Sequence, residues 1–511
     1  MANKKPVFKP YYQHQLMAFP PTFDELIPAD HTVRLVDKII NVINVEPLLN
    51  AYHIRGASNY HPILLLKVLV YGYVTNTYSS RKLAIACREN VPFMWLSGMS
   101  KPDHNTINRF RGVRLKHALR SVFEEVVKYL AEEGLLSIDE VYTDGTKIEA
   151  NANKYTFVWK KSIQTNKAKM QKQLDEIWNY AQSVATVEDL LPEPPTAKTV
   201  SPESIQATVD KLNEVLANND QVDKKTKAKL LYLTKNYPEA IGKYKHQEEI
   251  LAERNSYSKS DPDATFMRMK EDHMRNGQLK PAYNVQISTS NQFIVNYTIH
   301  SNATDTLTLK SHLEQHENSF NRPPKTLTAD AGYGSEENYA LLEQKQVESF
   351  VKFNMFDKQQ NTHYNQKYPF ATNQLFYHEQ KDAYICPMGQ SMEFVGIVKK
   401  RTASGFEQQV RRYQAKNCNN CPLNGACHKS KGNRLIEINE NLQRHKQKAH
   451  HLLNTEQGIR HRKKRCHDVE PVFANIKQNH GFRRFMLRGK QKVEIEWGLL
   501  AIAQNIRKKA A

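Results

Sequence analysis

The sequence predicts an α/β protein: a mixed-sheet core with a helical N-terminal region, a helical insertion and a β-rich insertion that carries cysteines. Three observations lead there. Residues 24–134 place apolar side chains at helical spacing, Val33, Leu35, Val36, Ile39, Ile40 and Ile43 first and Leu64, Leu65, Leu66, Val68 and Leu69 after them. Two β-type runs, AYNVQIS and FIVNYTIH, lie within 282–300 around a Thr289-Ser290-Asn291 turn. Between 163 and 262 the composition becomes rich in Lys, Glu, Gln and Asn, as in an exposed helical hairpin, with a Pro-rich interruption at Leu191–Pro195.

Taken in order, residues 1–135 form the helical N-terminal region. Its second half breaks at Lys101-Pro102-Asp103 and resumes as HNTINRFRGVRLKHALR, with Asn105 or Thr106 as the cap of a helix bearing Asn108, Arg109, Arg111 and Arg114. Two helices about a short turn suit a helix-turn-helix in a DNA groove, and they equally suit a plain helical domain. Residues 136–162 hold a first strand, where Val141 and Thr143 alternate toward Ile148 and Asp144 sits between them. The insertion of 163–262 follows, with DNA-end contact or dimerisation as its expected roles. From 263 to 353 come the hairpin, a helix near Leu307–His316, a strand ending at Asp330, a loop and helix, and the strand ESFVKFN. Residues 354–455 are β-rich, and 456–511 are basic and helical.

Composition limits the partners. The 511 residues are 40% hydrophobic and 25% charged, which suits folded domains and not a disordered chain. The net charge of +20 favours a polyanion, nucleic acid ahead of an anionic membrane surface. Half of that excess lies from Arg460 onward, where fourteen Lys/Arg face four acids among Val472, Phe473, Phe482, Phe485 and Trp497. So many apolar groups mark a folded basic element suited to phosphates, including Arg483 and Arg484. The longest apolar stretch, Pro62 to Val74, contains Lys67 and is shorter than the ~20 residues a spanning helix needs. The opening MANKKPVFKPYYQHQ lacks an apolar core, so no membrane role and a reduced cytoplasmic setting are expected.

The cysteines are few for a disulfide framework. Cys386 and the Cys418-x₂-Cys421-x₅-Cys427 group flank a hairpin that turns at Ala403-Ser404-Gly405. Such a hairpin brings its ends together, so four thiolates can close a structural Zn²⁺ site, with His428 as a substitute ligand; four unrelated thiols are the other reading. Cys87 and Cys466 read as lone thiols.

Asp144, Asp330 and Glu470 are acids on separate elements in basic surroundings. Converging carboxylates of this kind can hold Mg²⁺ (or Mn²⁺) pairs for phosphodiester displacement. Taken alone, Asp330-Ala-Gly-Tyr-Gly is also an ordinary strand-to-loop turn. Pro471 puts Glu470 at a helix start or a kink. Asp139, Glu149, Asp272 and Asp305 read as capping, solvated or hydrogen-bonding groups.

As a set, the blocks YTDGTKIEANANKY, DPDATFMRMKEDHMRNGQLKPAYNVQ, TADAGYGSEENY and VEPVFANIKQNHGFRRFMLRGKQKVEIEWGLLAIAQNIRK resemble, in order, those of insertion-sequence transposases of the IS1182 family. The segment from HPILLLKVLVYGY to DHNTINRFR resembles that family's N-terminal domain. These are DDE enzymes of the RNase H-like class, related to the IS4 group. The resemblance implies an RNase H-like core, Asp144, Asp330 and Glu470 as the catalytic, Mg²⁺-binding triad, and double-stranded DNA as partner, both element ends and target, handled by a homodimer. A pattern in the IS4 group, Tyr-x₂-Arg-x₃-Glu-x₆-Lys, is met by Glu470 and Lys477. Cys466 stands in the place of its Arg, with Arg465 one residue earlier, and Arg462 stands where a related spacing puts the Tyr. Lys477, Arg465, Arg462, Arg483, Arg484 and Arg109 are therefore the expected DNA contacts. A DNA-binding protein without catalysis and an RNase H-like nuclease are the competing functions.

Overall fold

A computed structural model of the chain describes residues 20–50, 60–184, 224–269 and 277–511, with 207, 210 and 214 between them. The Pro-rich interruption at 191–195 and Asp272 lie outside the described residues. The chain divides into two compact units, one reaching to Leu130 and including Trp497–Ala511, the other Ala131–Glu496.

The first unit is helical. Thr32–Val42 buries Val33, Val36, Ile39 and Ile40 on one stripe, and Pro62–Val74 buries Leu65, Leu66, Val68 and Leu69. Each starts on a histidine whose Nδ1 accepts a backbone N–H, His31 from Val33 and His61 from Ile63. From the chain's end, Arg507 donates to the carbonyl of Val74 at 2.9 Å and Lys509 lies over the Tyr129 ring at 5.5 Å.

The segment expected to read a groove differs in detail. Its helix is only His104–Arg109, followed by a π-turn at Phe110–Arg114. Its cap is Asp103 and neither Asn105 nor Thr106; one Asp103 carboxylate oxygen takes the N–H groups of both, at 2.7 and 3.0 Å. An ionised carboxylate is the better acceptor for two orphan donors. The π-turn carries Arg111 inward, 3% exposed and donating to Tyr78 O at 2.8 Å, so it presents no charge to a ligand. Arg109 remains exposed.

The second unit holds a mixed sheet in the order β4 (Thr265–Arg268), β5 (Leu279–Ser290), β1 (Glu140–Glu149), β7 (Thr326–Ala329), β8 (Glu348–Val351), with β6 (Phe293–His300) also paired to β5. β1 runs antiparallel to β5 and parallel to β7, and β7 runs parallel to β8. Helices Leu309–Phe320 and Glu336–Gln344 supply the parallel crossovers. This is the RNase H-like mixed sheet expected from the sequence. β1 is buried on both faces instead of alternating, because it lies in the middle of the sheet. The hairpin turns two residues later than expected, at Asn291-Gln292. Both adopt positive φ, 52° and 67°, the conformation that matches a two-residue turn to strand twist.

Two features escaped the sequence. β4 is an additional strand, and β2 (Phe157–Trp159) pairs with β3 (Ser256–Ser258) in a small ribbon at the base of the helical insertion. The insertion itself is the expected pair of helices, Lys160–Val184 and Lys224–Leu251, closed on their own core of Met170, Leu174, Ile177, Trp178, Leu233, Tyr237 and Ile241. The β-rich insertion is an antiparallel sheet of β9 (Phe376–His378), β10 (Ala383–Ile385), β11 (Ser391–Arg401), β12 (Glu407–Ala415) and β13 (Leu435–Ile438), and its main hairpin turns where the sequence placed it.

Candidate active site

β1 and β7 bring two acids together. Their register pairs Thr143 with Ala329; Asp144 follows on β1, and Asp330 follows the end of β7 in extended conformation as the cap of the turn Ala331–Tyr333. Adjacent parallel strands are ~4.8 Å apart and side chains alternate in step, so both carboxylates leave the same face as neighbours. Asp144 is 7% exposed. Asp330 is half-buried and accepts the Gly332 N–H at 2.8 Å, which turns the chain away from the strand.

Beneath them lies a polar network that the sequence reading missed. Tyr333 is fully buried and donates its hydroxyl to Gln286 Oε1. The amides of Gln286 and Asn284 donate to Asp305 Oδ1 at 2.9 and 2.8 Å. Burial raises the Tyr333 pKa well above the ordinary phenol value, and the charges of Asp305, Asp144 and Asp330 add to it against the opposing Arg465. Asp305, one of the acids read as capping, solvated or hydrogen-bonding groups, is thus a hydrogen-bonded acid whose charge acts on Tyr333 together with those of Asp144 and Asp330. The available signal was Asn284, Gln286 and Ser288 recurring every second residue in an otherwise apolar strand.

Glu470 begins the helix Glu470–Ala474 with Pro471 in its first turn, the helix start expected from the Pro. Arg465, near the end of helix Glu456–Asp468, links it to Asp144: Nη1 lies 3.3 Å from Asp144 Oδ2 and Nη2 3.3 Å from Glu470 Oε1. Side-chain exposure is 16% for Arg465 and 54% for Glu470, so the pair to Asp144 is the better shielded. The helix is fixed to the sheet at three points. His461, 1% exposed, bonds the Tyr142 hydroxyl at 2.9 Å and stacks on Phe350 at 4.3 Å. Lys464 pairs with Glu140 at 3.0 Å. Asp468 accepts the backbone N–H of Asn291 and Gln292 at 2.8 and 3.1 Å, capping the β5–β6 turn. Burial lowers the His461 pKa, which keeps the ring neutral.

The remaining basic residues are disposed differently. Lys477 lies in a π-turn, 7% exposed. Arg462 stacks over Phe356 at 5.3 Å. Arg483 and Arg484 are exposed where the C-terminal segment bridges to the end of β1, and Arg484 donates to the carbonyls of Ala150 and Ala152.

The donor chemistry at Asp144, Asp330 and Glu470 is all oxygen, suited to a hard divalent cation. In this arrangement Arg465 supplies the positive charge between Asp144 and Glu470. Among the described residues no three His, Cys, Asp or Glu side chains stand together as a metal site. That includes any group of zinc ligands. Cys386, Cys418, Cys421 and Cys427 are free thiols. Arg434 donates its backbone N–H to Cys418 Sγ at 3.3 Å and its guanidinium to Cys427 Sγ at 2.8 Å. His428 bonds Ser430 Oγ at 2.7 Å. Cys87 is buried, with its thiol pushed up to about 11, and Cys466 is exposed.

Residues 21–112 match the family model described as Transposase domain (DUF772), and residues 385–510 match Transposase DDE domain. No curated protein and no solved structure matches the chain. These two matches, one on the N-terminal helices and the other running through Arg465 and Glu470, are typical of IS1182-family transposases.

Proposed function

We propose that the chain binds the terminal inverted repeats of its own insertion sequence as double-stranded DNA, cuts at their ends and joins the freed 3′-OH to a target phosphodiester. The observation that carries this reading is the placement of Asp144 and Asp330 side by side beyond the Thr143–Ala329 pair. Asp144, Asp330 and Glu470 are the acids that would hold Mg²⁺ or Mn²⁺, and such ions supply charge stabilisation of the attacking and leaving oxygens when bound. Arg465 holds Asp144 and Glu470 in one orientation. Asp305, through Gln286 and Tyr333, fixes the floor beneath the acids. Arg483, Arg484 and Arg109 offer exposed charge to phosphates, and Lys477 and Arg462 are further proposed DNA contacts. Two element ends must meet for strand transfer, so the active species is a homodimer in a synaptic complex. Among the described residues no helix is long and apolar enough to cross a membrane, and the reaction belongs at the cytoplasmic nucleoid.

The test is cleavage of linear DNA bearing the element's ends, in Mg²⁺ or Mn²⁺, by wild type and Asp330→Ala. Metal-dependent cutting at the ends by wild type, lost in the variant while binding persists, is the expected result. Binding by both without cutting would leave a DNA-binding protein with structural acids. Cutting without end preference or joining would leave a nuclease.

A further inference from the structure

The ribbon at the base of the helical insertion turns aromatic faces outward. On β2 the central Val158 is 7% exposed and packs with Ile163, Leu251 and Tyr257. Its neighbours Phe157 and Trp159 therefore point to the opposite face. Phe266 of β4 completes a set of three rings, 6.1 Å from Phe157 to Trp159, 5.7 Å from Phe157 to Phe266 and 5.8 Å from Trp159 to Phe266. Phe157 is 46% exposed and the preceding Tyr155 is 74% exposed. Beside Trp159 opens a cleft of about 410 Å³, lined also by Lys161, Ser162, Thr165 and Asn166.

The two ribbon segments are basic. The two segments that make the ribbon, residues 153–162 and 256–260, contain four lysines and no acid. Among the described residues, Lys154, Lys160, Lys161 and Lys259 make no ion pair with a carboxylate. Lys154 lies over the Tyr155 ring at 4.9 Å.

We propose that Phe157, Trp159 and the adjoining cleft form a stacking platform for unpaired nucleobases of a DNA strand whose phosphates the four lysines follow. Exposed rings interleaved with cations are what single-stranded nucleic acid requires, because each base offers a face to stack and each phosphate a charge to match. A duplex hides its base faces in its own stack and gives such rings no partner. The cleft has room for a base, and Ser162, Thr165 and Asn166 offer hydrogen bonds to its edge. The position suits a strand leaving the acids: five residues of β1, about 16 Å, lead from Asp144 to Glu149. Glu149 pairs with Ala282, and Ala282 with Thr265, the neighbour of Phe266. The inference rests on the proposed action on DNA.

The test measures binding of a fluorescently labelled 15-nucleotide oligothymidylate and of a 15-base-pair duplex to full-length protein. The Phe157→Ala/Trp159→Ala variant should bind the single strand about 10- to 100-fold more weakly and the duplex within twofold of wild type. Trp159→Phe keeps a ring and should retain most single-strand affinity, which separates stacking from misfolding. Equal loss for both DNAs, or no loss for either, would overturn the platform. Wild type that binds duplex but no single strand would overturn the platform and leave the DNA reading standing; binding of neither would remove both.

Discussion

Arg465 and Asp144, 321 positions apart in sequence, meet at 3.3 Å through Nη1 and Oδ2. The other arm of the same guanidinium reaches Glu470. One side chain therefore carries the spacing between an acid on a central strand and an acid on a helix start, and does so because a planar fork can serve two carboxylates at once.

Arg465→Ala should lose this link. The expected outcome is at least a 100-fold fall in end cleavage with DNA binding reduced far less. Stability should fall by about 1–3 kcal/mol, since Asp144 loses its charged donor in a shielded position. Arg465→Lys, which keeps the charge without the fork, should recover the stability and only part of the activity. Cleavage kinetics and thermal melting check both.

Asp468→Ala should act on the site from a distance. Its carboxylate closes the Asn291-Gln292 turn and anchors the helix that ends just before Glu470. Two charge-assisted bonds are lost from a residue that is 3% exposed, at a cost of about 2–4 kcal/mol. Cleavage should decline more than end binding, read side by side in one preparation.

Gly334→Ala should disturb the loop that carries Asp330. A Cβ there would stand 2.8 Å from Phe353 Cα and still closer to the Lys352 carbonyl. Both obstacles are backbone, so the loop or the end of β8 must move, costing about 1–3 kcal/mol. Loss of cleavage with a lowered melting temperature is expected; an unchanged melting curve would contradict the contact.

His316, 2% exposed on helix Leu309–Phe320, has its imidazole pushed down to about 4 by burial. An unfolded histidine titrates near 6.5, so between pH 6.5 and 4 the unfolded chain binds a proton that the native chain refuses. Its contribution to stability is complete above pH 6.5 and is lost as pH falls toward 4, by up to about 1.4 kcal/mol per pH unit. His316→Gln should flatten the wild-type slope of unfolding free energy over that window, measured by denaturant titration at several pH values.

Much of this molecule was readable along the chain because the signals are local. Helical periodicity located the N-terminal helices and the long pair of the insertion. β-branched runs located β5 to β8, and the charge count marked the C-terminal segment as folded and basic. Asp144 stood out as an acid within a strand, Asp330 at a strand end and Glu470 at a helix start. Where local signals competed, the reading slipped: Asp103 took the cap from Asn105 and Thr106, and Asn291-Gln292 took the turn from Thr289–Asn291. Arg111 illustrates the same limit, since nothing in its neighbours reveals that a π-turn will carry it inward.

Other relations depend on elements far apart in the chain. The step that makes Asp144 and Asp330 neighbours is the β1–β7 register, set by which strand buries beside which. Asp305 joins them only because β5 lies against β1 and presents Asn284 and Gln286 to it. Arg434 meets Cys418 and Cys427, through its backbone N–H and its guanidinium, only because β12 and β13 pair in the β-rich sheet. Residue type and periodicity settle which chemistry is present and which elements form. Long-range packing of buried surface settles which of those groups meet, and at what distance.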